Sequence, residues 1–569
     1  MDIQERIKKS IAEALPELGL KPEEVFLEHP TEIKLGDYST NVAMAKAKAE
    51  KANPRVLAER MKSALNGKIE NVERIEVAGP GFINFFLNKE YFNKEIEEAL
   101  NNKEFGKNET QKGKKVLVEH TNLNPFKPMH IGHLMNNAIG EALSRIIEWS
   151  GADLKRASYG SDVGLHIAKT IWGMIAFAGE RPKEDALISE KADFLGRAYV
   201  FGATKYEEDE EIQVEIKELN KKVFTRSDEE VNALYDWGRK VSLDNFVEIY
   251  KMLNTHVDYH FFENEVSNRA VEIVEEYEKK GVFEKSEGAI IFRGEKYGLH
   301  TRVFISSQGI PLYEAKEIAL NEKKFELAPW DDSITITASE QNDYFKVVMK
   351  ALELIRPDIV AHSTHVPHGM LRFASGKMSS RTGNIITGES LILAMQQMAY
   401  EKMKDRELTN EEKNVISEQV GIAAIKYSIL KQTPGKDIIY DFEKSLSFEG
   451  DSGPYLQYAT VRGKSVLEKA KKEDIESSLE HPDEQMPLVV KLLARFPEIV
   501  LSAQNNLAPN HIATYLIELS SSFNSFYADN KIVDKHDVHS PYRVAITEAF
   551  VNIMQSGLFL LGLHSPAKM

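Results

Sequence analysis

Residues 120–133 read His120-Thr121-Asn122-Leu123-Asn124-Pro125-Phe126-Lys127-Pro128-Met129-His130-Ile131-Gly132-His133. The apolar run Val116, Leu117 and Val118 precedes them, and Leu134, Ile139, Leu143 and Ile146 come after at three- and four-residue spacings. The first pattern predicts a short strand and the second an amphipathic helix. Pro125 and Pro128 bar regular structure between the two, because proline lacks the N–H that a ladder needs. The stretch is therefore strand, tight loop, helix. In an open α/β sheet a ligand sits beyond the carboxyl ends of the strands, where this loop lies.

A helix N-terminus presents free backbone N–H groups and a positive dipole end, which suits phosphate. His130 and His133 fall near the first turn, where imidazoles can donate to phosphate oxygens as negative charge builds. Gly132 between them lacks a Cβ, so a flat base or ribose can approach the backbone. Lys127 adds a cation. A plain capped helix start, with histidines bonding only to the surface, fits the same four residues.

A later stretch separates these readings. Gly376-Lys377-Met378-Ser379-Ser380-Arg381-Thr382-Gly383 combines small residues with cations. Such a loop suits clamping a triphosphate, with Lys377 as point charge, Ser379 and Ser380 as donors and the glycines as hinges. It is not a Walker loop, since Leu371 stands where the first glycine would be. The pair His130-Ile131-Gly132-His133 and Lys377-Met378-Ser379-Ser380 is similar to the two nucleotide-binding motifs of class I aminoacyl-tRNA synthetases. The longer phrase, with Asn124 and Lys127, resembles the arginyl-tRNA synthetase family, and the likeness covers nearly the whole chain.

That resemblance implies a set of roles. Lys127, His130, His133 and Lys377 are the expected catalytic residues. His130, Gly132, His133, Lys377, Met378, Ser379 and Ser380 are expected to bind ATP, which enters with Mg2+ as a substrate complex, and no protein-bound metal is expected. Asn124, Asp162, Glu263, Tyr313, Glu317 and Gln341 match the arginine pocket. A guanidinium carries five donors and a charge that does not titrate, best met by forked carboxylates. Tyr458, Arg462, Tyr527 and Met569 match anticodon contacts, where aromatic and guanidinium planes hold unstacked bases. From the residues alone, Asp162 equally caps the next helix, Tyr313 and Glu317 share a surface face, and the aromatics are core. The sequence departs from the family at Glu317 (usually Asp), Gln308 (Asp), Ser161 (Asn), Met135 (Arg) and Thr460 (His).

At 569 residues the chain is too long for one core, and its length suggests about three or four domains. With no cysteine it has neither disulfides nor thiolate metal sites. The apolar runs fall short of the ~18 residues a membrane span needs and the N-terminus has no signal character, so a cytoplasmic protein is expected; a monomer is also expected, though not from these features. A net charge of −16 argues against general nucleic-acid binding, although screening over ~10 Å leaves room for RNA docking on local patches.

The fold class expected is multidomain α/β. Residues 1–98 form an α+β N-terminal domain, which in the family grips the corner of the tRNA. Ile3, Ile7, Ile11 and Leu15 make one helical stripe, Val56, Leu57, Met61 and Leu65 another, and 72–77 and 82–86 read as strands around Gly79-Pro80-Gly81. Gly36-Asp37-Tyr38 reads as a turn before a helix, and the resemblance makes it a hallmark of that domain. Residues 99–113 are polar and turn-rich, a linker. Residues 114–435 form a Rossmann-like class I catalytic domain with a helical insertion at about 168–256, whose acidic run 206–211 reads as a solvated helix face. His362, His365 and His368 suggest either a metal site or a strand, and the lack of neighbouring acidic or thiol ligands favours the strand. Residues 436–569 form an all-helical anticodon-binding bundle. The expected activity is ligation of arginine to tRNA(Arg). The alternatives are another class I synthetase, or a tRNA-binding paralogue with weak or no aminoacylation.

Overall fold

A computed structural model describes residues 3–21, 24–176, 181–374 and 387–569. The chain contains a five-stranded sheet: β1 (Lys115–Glu119), β2 (Asp153–Gly160), β3 (Tyr259–Phe262), β4 (Asp332–Ala338) and β5 (Ser363–His368). Every pairing is parallel and the spatial order is β5-β4-β1-β2-β3. The chain starts in the middle, winds out to one edge and returns beside β1. The order reverses between β1 and β4, the doubly wound pattern that opens a crevice at the carboxyl ends. Helices cover both faces, so β1 and β4 are buried over nearly their whole length, the threonines of β4 as well as its isoleucines. One core runs from Leu117, Ala157 and Phe261 through Val274, Phe304 and Ile318 to Val348 and Leu352.

The helix Ile131–Trp149 comes after β1 and is buried from His133 to Ile147. It lies tight against the strand end because position 140 is glycine: a Cβ there would stand 2.3 Å from the His120 side chain. Helices Leu165–Ala176, Ile188–Glu208, Glu210–Thr225 and Glu229–Met252 make up the insertion, around a core that includes Phe126, Leu195, Val223 and Tyr235. The acidic run is a junction and not one helix face. Glu208 ends a helix, and Asp209 starts the next by accepting from the N–H groups of Glu211 (2.8 Å) and Ile212 (3.3 Å). Aspartate is a good cap, and Glu210 and Glu211 then sit at the positive end of the dipole.

The N-terminal segment is α+β as expected. Its antiparallel sheet places Phe82–Leu87 between Tyr38–Thr40 and Val72–Ala78. The first helix, Ile3–Glu17, buries its whole predicted stripe, whereas Val56 is exposed and only Leu57, Met61 and Leu65 of the second face inward. The turn at residue 36 leads into a strand before its helix, Val42–Glu50. Asp37 explains the change, being buried with one oxygen accepting from Leu87 N–H (2.9 Å) and the other from Lys491 Nζ (2.7 Å). Gly36 is in the left-handed region at φ 111°, and a Cβ would meet the Phe85 carbonyl at 2.9 Å.

Two more expectations need correction. Helix Lys89–Asn101 runs into the stretch read as a linker, and Phe105 within that stretch is buried against Phe496, because its polar residues are the outer face of packed structure. The last third is not helical throughout: Ile438–Tyr440 is a strand paired in parallel with Leu371–Phe373. By compactness the chain divides into 1–106 with 462–498 and 518–556, and 107–461 with 499–517 and 557–569. Among the described residues, no helix is long and apolar enough to cross a membrane.

Removing one partner of a buried ion pair strands the other charge, at a cost of about 3 kcal/mol. Asp37→Ala is expected to lower unfolding stability by that amount in urea titrations, and Val56→Ala by less than about 0.5 kcal/mol because exposed sites carry little packing.

Candidate active site

The loop after β1 is held in an unusual backbone. Thr121, Asn122 and Phe126 have φ values of 71°, 53° and 66°, although none is glycine. Each such residue costs about 1–3 kcal/mol and persists only where its surroundings over-determine it. Here they do. Asn122 Oδ1 accepts from Tyr159 N–H (2.9 Å), Asn124 Oδ1 from Ser161 N–H (2.8 Å), and Phe126 N–H donates to Ser242 Oγ (2.9 Å). The Asn124 carboxamide oxygen is thus committed to the end of β2, leaving its NH2 for a ligand.

His130 sits at the N-cap of Ile131–Trp149, and its N–H donates to His133 Nδ1 (3.3 Å). His133 therefore carries its proton on Nε2, as a donor. The two rings stack with centroids 3.5 Å apart. A Cβ on Gly132 would lie 2.9 Å from the His130 ring, so the space that the glycine leaves is filled by His130 itself. Partial burial, then Lys127 and His368, push His130 down to about 4, while burial, then His130 and Lys127, hold His133 well below its usual value. Both imidazoles are neutral at pH 7. The His368 ring lies close by, with its buried Nε2 lacking a hydrogen-bond partner. Lys127 Nζ stands 5.9 Å over the Tyr199 ring.

Lys377, Met378, Ser379 and Ser380 lie outside the described residues. The segment beginning at Thr387 is tied to the histidine motif: Thr387 bridges His130, Gly388 N–H donates to the Met129 carbonyl (2.7 Å), and Glu389 accepts from Met129 N–H (3.0 Å).

Beside this site, at the carboxyl ends of β2 and β3, lies a second group of residues. Glu263 is buried; Oε1 meets the Lys316 ammonium and Oε2 accepts from Ser161 Oγ. Asp162 is fully buried, accepting from Asn264 N–H (3.1 Å) and Arg239 Nε (3.3 Å), so it builds the wall behind Glu263. Burial raises its carboxyl despite those donors. Glu317 is buried on helix Tyr313–Leu327 with Asn321 on its Oε1 (3.1 Å). Burial, with Glu119 adding and Lys324 opposing, pushes it up to about 7. Lys324 itself is locked to Glu119 at 2.8 Å. The buried Tyr159 hydroxyl has no hydrogen-bond partner and lies among these carboxylates, which, after burial, further oppose its ionisation. Tyr313 is exposed at the start of its helix, and Gln341 is exposed in the turn after β4.

Among the described residues no three acidic or histidine side chains cluster as metal ligands. Strand alternation turns His365 and His368 to opposite faces and His362 precedes the strand, with His365 stacked on Phe345 at 4.2 Å and bonded to Thr337. Of the expected tRNA contacts, Arg462 lies over the Tyr527 ring at 5.3 Å in one compact unit, while Tyr458 and Met569 belong to the other.

Residues 95–442 match the family profile described as "tRNA synthetases class I (R), catalytic domain", and residues 1–87 match the "Arginyl tRNA synthetase N terminal domain". The chain belongs to the arginyl-tRNA synthetase family. Residues 456–569 match the "DALR anticodon binding domain". The chain is 31% identical to the arginine–tRNA ligase of Halothermothrix orenii over the whole of both chains. It is 32% identical to that of Fusobacterium nucleatum, over 100% of this chain and 99% of the other. The arginyl-tRNA synthetase of Thermus thermophilus shares the fold at a TM-score of 0.81 and 24% identity, with both chains fully covered. That of Plasmodium falciparum does so at 0.80 and 20%, with 99% of each covered.

Within this arginyl-tRNA synthetase framework, Lys316, Tyr159 and Glu389 were not among the residues the sequence singled out, and His368 was read there only as part of a metal site or a strand. Lys316 adjoins Glu317 in sequence, yet only the helix turns it to Glu263 and the strand ends. Met135, where the family usually has arginine, is buried, so that departure is a core exchange.

This geometry has two measurable consequences. Gly132→Ala is expected to displace the His130 ring and to slow adenylate formation about 100-fold, read as pyrophosphate exchange, with unfolding little changed. His120, His130 and His365 are each pushed down to about 4, chiefly by burial. The unfolded chain, with histidines near 6.5, then binds more protons between pH 6.5 and 4. Stability is complete above about pH 6.5 and lost as pH falls through that window. Denaturant midpoints measured from pH 7 to 4.5 should fall steadily, and a flat profile would contradict the burial of these rings.

Proposed function

We propose that the chain ligates L-arginine to tRNA(Arg) by way of an arginyl-adenylate. The arginine guanidinium lies against Glu263 and Glu317, under Tyr313 and beside Tyr159, with Asn124 and Gln341 reaching its α-amino and carboxylate end. Its carboxylate attacks the α-phosphate of ATP in line, an O–P bond forms as the bond to pyrophosphate breaks, and pyrophosphate leaves. In such phosphoryl transfers the protein contributes position and charge stabilisation, with Mg2+ carried on the ATP phosphates. His130 and His133, neutral, donate hydrogen bonds to the phosphates without passing a proton. Lys127 and Lys377 supply positive charge, and Gly132 N–H and its helix N-terminus face the nucleotide. The terminal adenosine hydroxyl of tRNA(Arg) then attacks the arginyl carbonyl and AMP leaves.

One observation carries this reading. Two buried carboxylates and an unpartnered buried tyrosine hydroxyl adjoin the stacked neutral imidazoles at one end of the sheet. A carboxylate pair fits a guanidinium, and a helix N-terminus with neutral donors fits a nucleotide phosphate. We further assign 1–98 and 436–569 to tRNA binding, with Tyr458, Arg462, Tyr527 and Met569 at the anticodon, and 114–435 to catalysis, in a monomer of the cytoplasm.

Pyrophosphate exchange into ATP is expected with arginine and tRNA(Arg) together and with no other amino acid. Glu263→Gln is expected to raise the arginine KM about 100-fold, since a charge-assisted fork is lost. Binding of tRNA(Arg) without any exchange would overturn the catalytic reading.

A further inference from the structure

Resting on the reading of Glu263 as the guanidinium's carboxylate, we propose that Lys316 is a resident competitor of the substrate: its ammonium neutralises Glu263 until the arginine guanidinium takes its place, and so sets the affinity for the amino acid. Glu263 and Lys316 are only 4% and 9% exposed, and a carboxylate so buried needs a cation beside it. Lys316 supplies one from its own helix, meeting a single oxygen, while the Ser161 hydroxyl holds the other. Both oxygens are therefore occupied before any substrate enters.

The neighbouring lysine marks the contrast. Lys324 is fully buried and paired with Glu119, with no path to solvent. Lys316 lies 5.7 Å from the Tyr313 ring, and that residue is 62% exposed. A displaced ammonium can swing along the ring face toward water and keep a cation–π contact as it goes. The exchange is one cation for another beside the same carboxylate.

What displaces it must bind Glu263 better than an ammonium does. A guanidinium presents two parallel N–H groups to a carboxylate, whereas an ammonium is a point charge on a flexible stem. It also brings spare donors for the unpartnered Tyr159 hydroxyl and for Glu317. Free lysine or ornithine brings only what Lys316 already supplies, so its exchange onto Glu263 gains nothing, and its binding stays weak in absolute terms.

The test is arginine-dependent pyrophosphate exchange with tRNA(Arg), using free lysine as competitive inhibitor. Lys316→Met removes the resident cation. The arginine KM and the lysine inhibition constant are expected to fall by a similar factor, about tenfold, because both ligands compete with the same group. Lys316→Arg installs a resident fork and is expected to raise both, with kcat moving less than KM. A Lys316→Met variant whose arginine KM rises or stays unchanged overturns the proposal, since Lys316 would then only support the pocket. Should Lys316→Met fail to unfold cooperatively, Lys316→Arg decides: a raised arginine KM supports the proposal and an unchanged or lower one overturns it. No arginine-dependent exchange by the unaltered chain would overturn the functional reading, and this proposal with it.

Discussion

The fastening of the loop 120–126 onto the end of β2 is the constraint on which the rest of the site depends. A parallel sheet ends in a row of backbone groups with no further strand to pair them, and the chain must turn there without leaving them unsatisfied. Asn122 and Asn124 do this with side-chain oxygens that reach across to the N–H groups of Tyr159 and Ser161. Three left-handed residues are the consequence. One fastening thereby places the histidine helix, the Asn124 amide and the Ser161 hydroxyl relative to one another. A shift at residue 124 would move the stacked imidazoles and the buried Glu263 carboxylate together.

The helix carrying His130 and His133 is held along its length by buried charge as well as by packing. Glu141 accepts from Arg145 (2.6 Å) and Arg156 (2.9 Å). Burial alone would raise its carboxyl, and the two guanidinium groups overcome that and hold it down to about 2. Lys426 is pushed down to about 7 by burial and then by Arg145. It donates to the carbonyls of Leu253 and Gly562, which ends the chain's last turn against this cluster. Such a network is costly to disrupt because each charge removed strands another. Its effect is rigidity in the helix that carries His130 and His133, where the proposed chemistry is sensitive to a displacement of a fraction of an ångström.

Much of the fold was legible from pattern. Apolar runs marked β1 and the helix behind it, and the stripe Ile3, Ile7, Ile11, Leu15 marked the first helix correctly. Misreadings arose where a distant partner overrode local preference. Asp37 makes a strand edge out of a turn because Leu87 and Lys491 satisfy it. Ile438–Tyr440 becomes a strand because Leu371–Phe373 lies beside it. Asp209 was hidden in an acidic run, although an aspartate before two glutamates is itself a start signal.

Only the family resemblance pointed to carboxylates for a guanidinium; the sequence by itself determined the nucleotide chemistry the site can carry, imidazoles at a helix start and a cationic serine-rich loop. These come from residue type and spacing, because hydrogen-bonding capacity and charge belong to the side chain. Only the tertiary structure decided what each group is doing. Gly132 makes room for His130, Asp162 supports the pocket from behind, Glu317 is held near neutrality by burial, and Lys316 occupies Glu263. Those outcomes depend on which distant atoms share one low-dielectric space, and burial and proximity are properties of the folded chain.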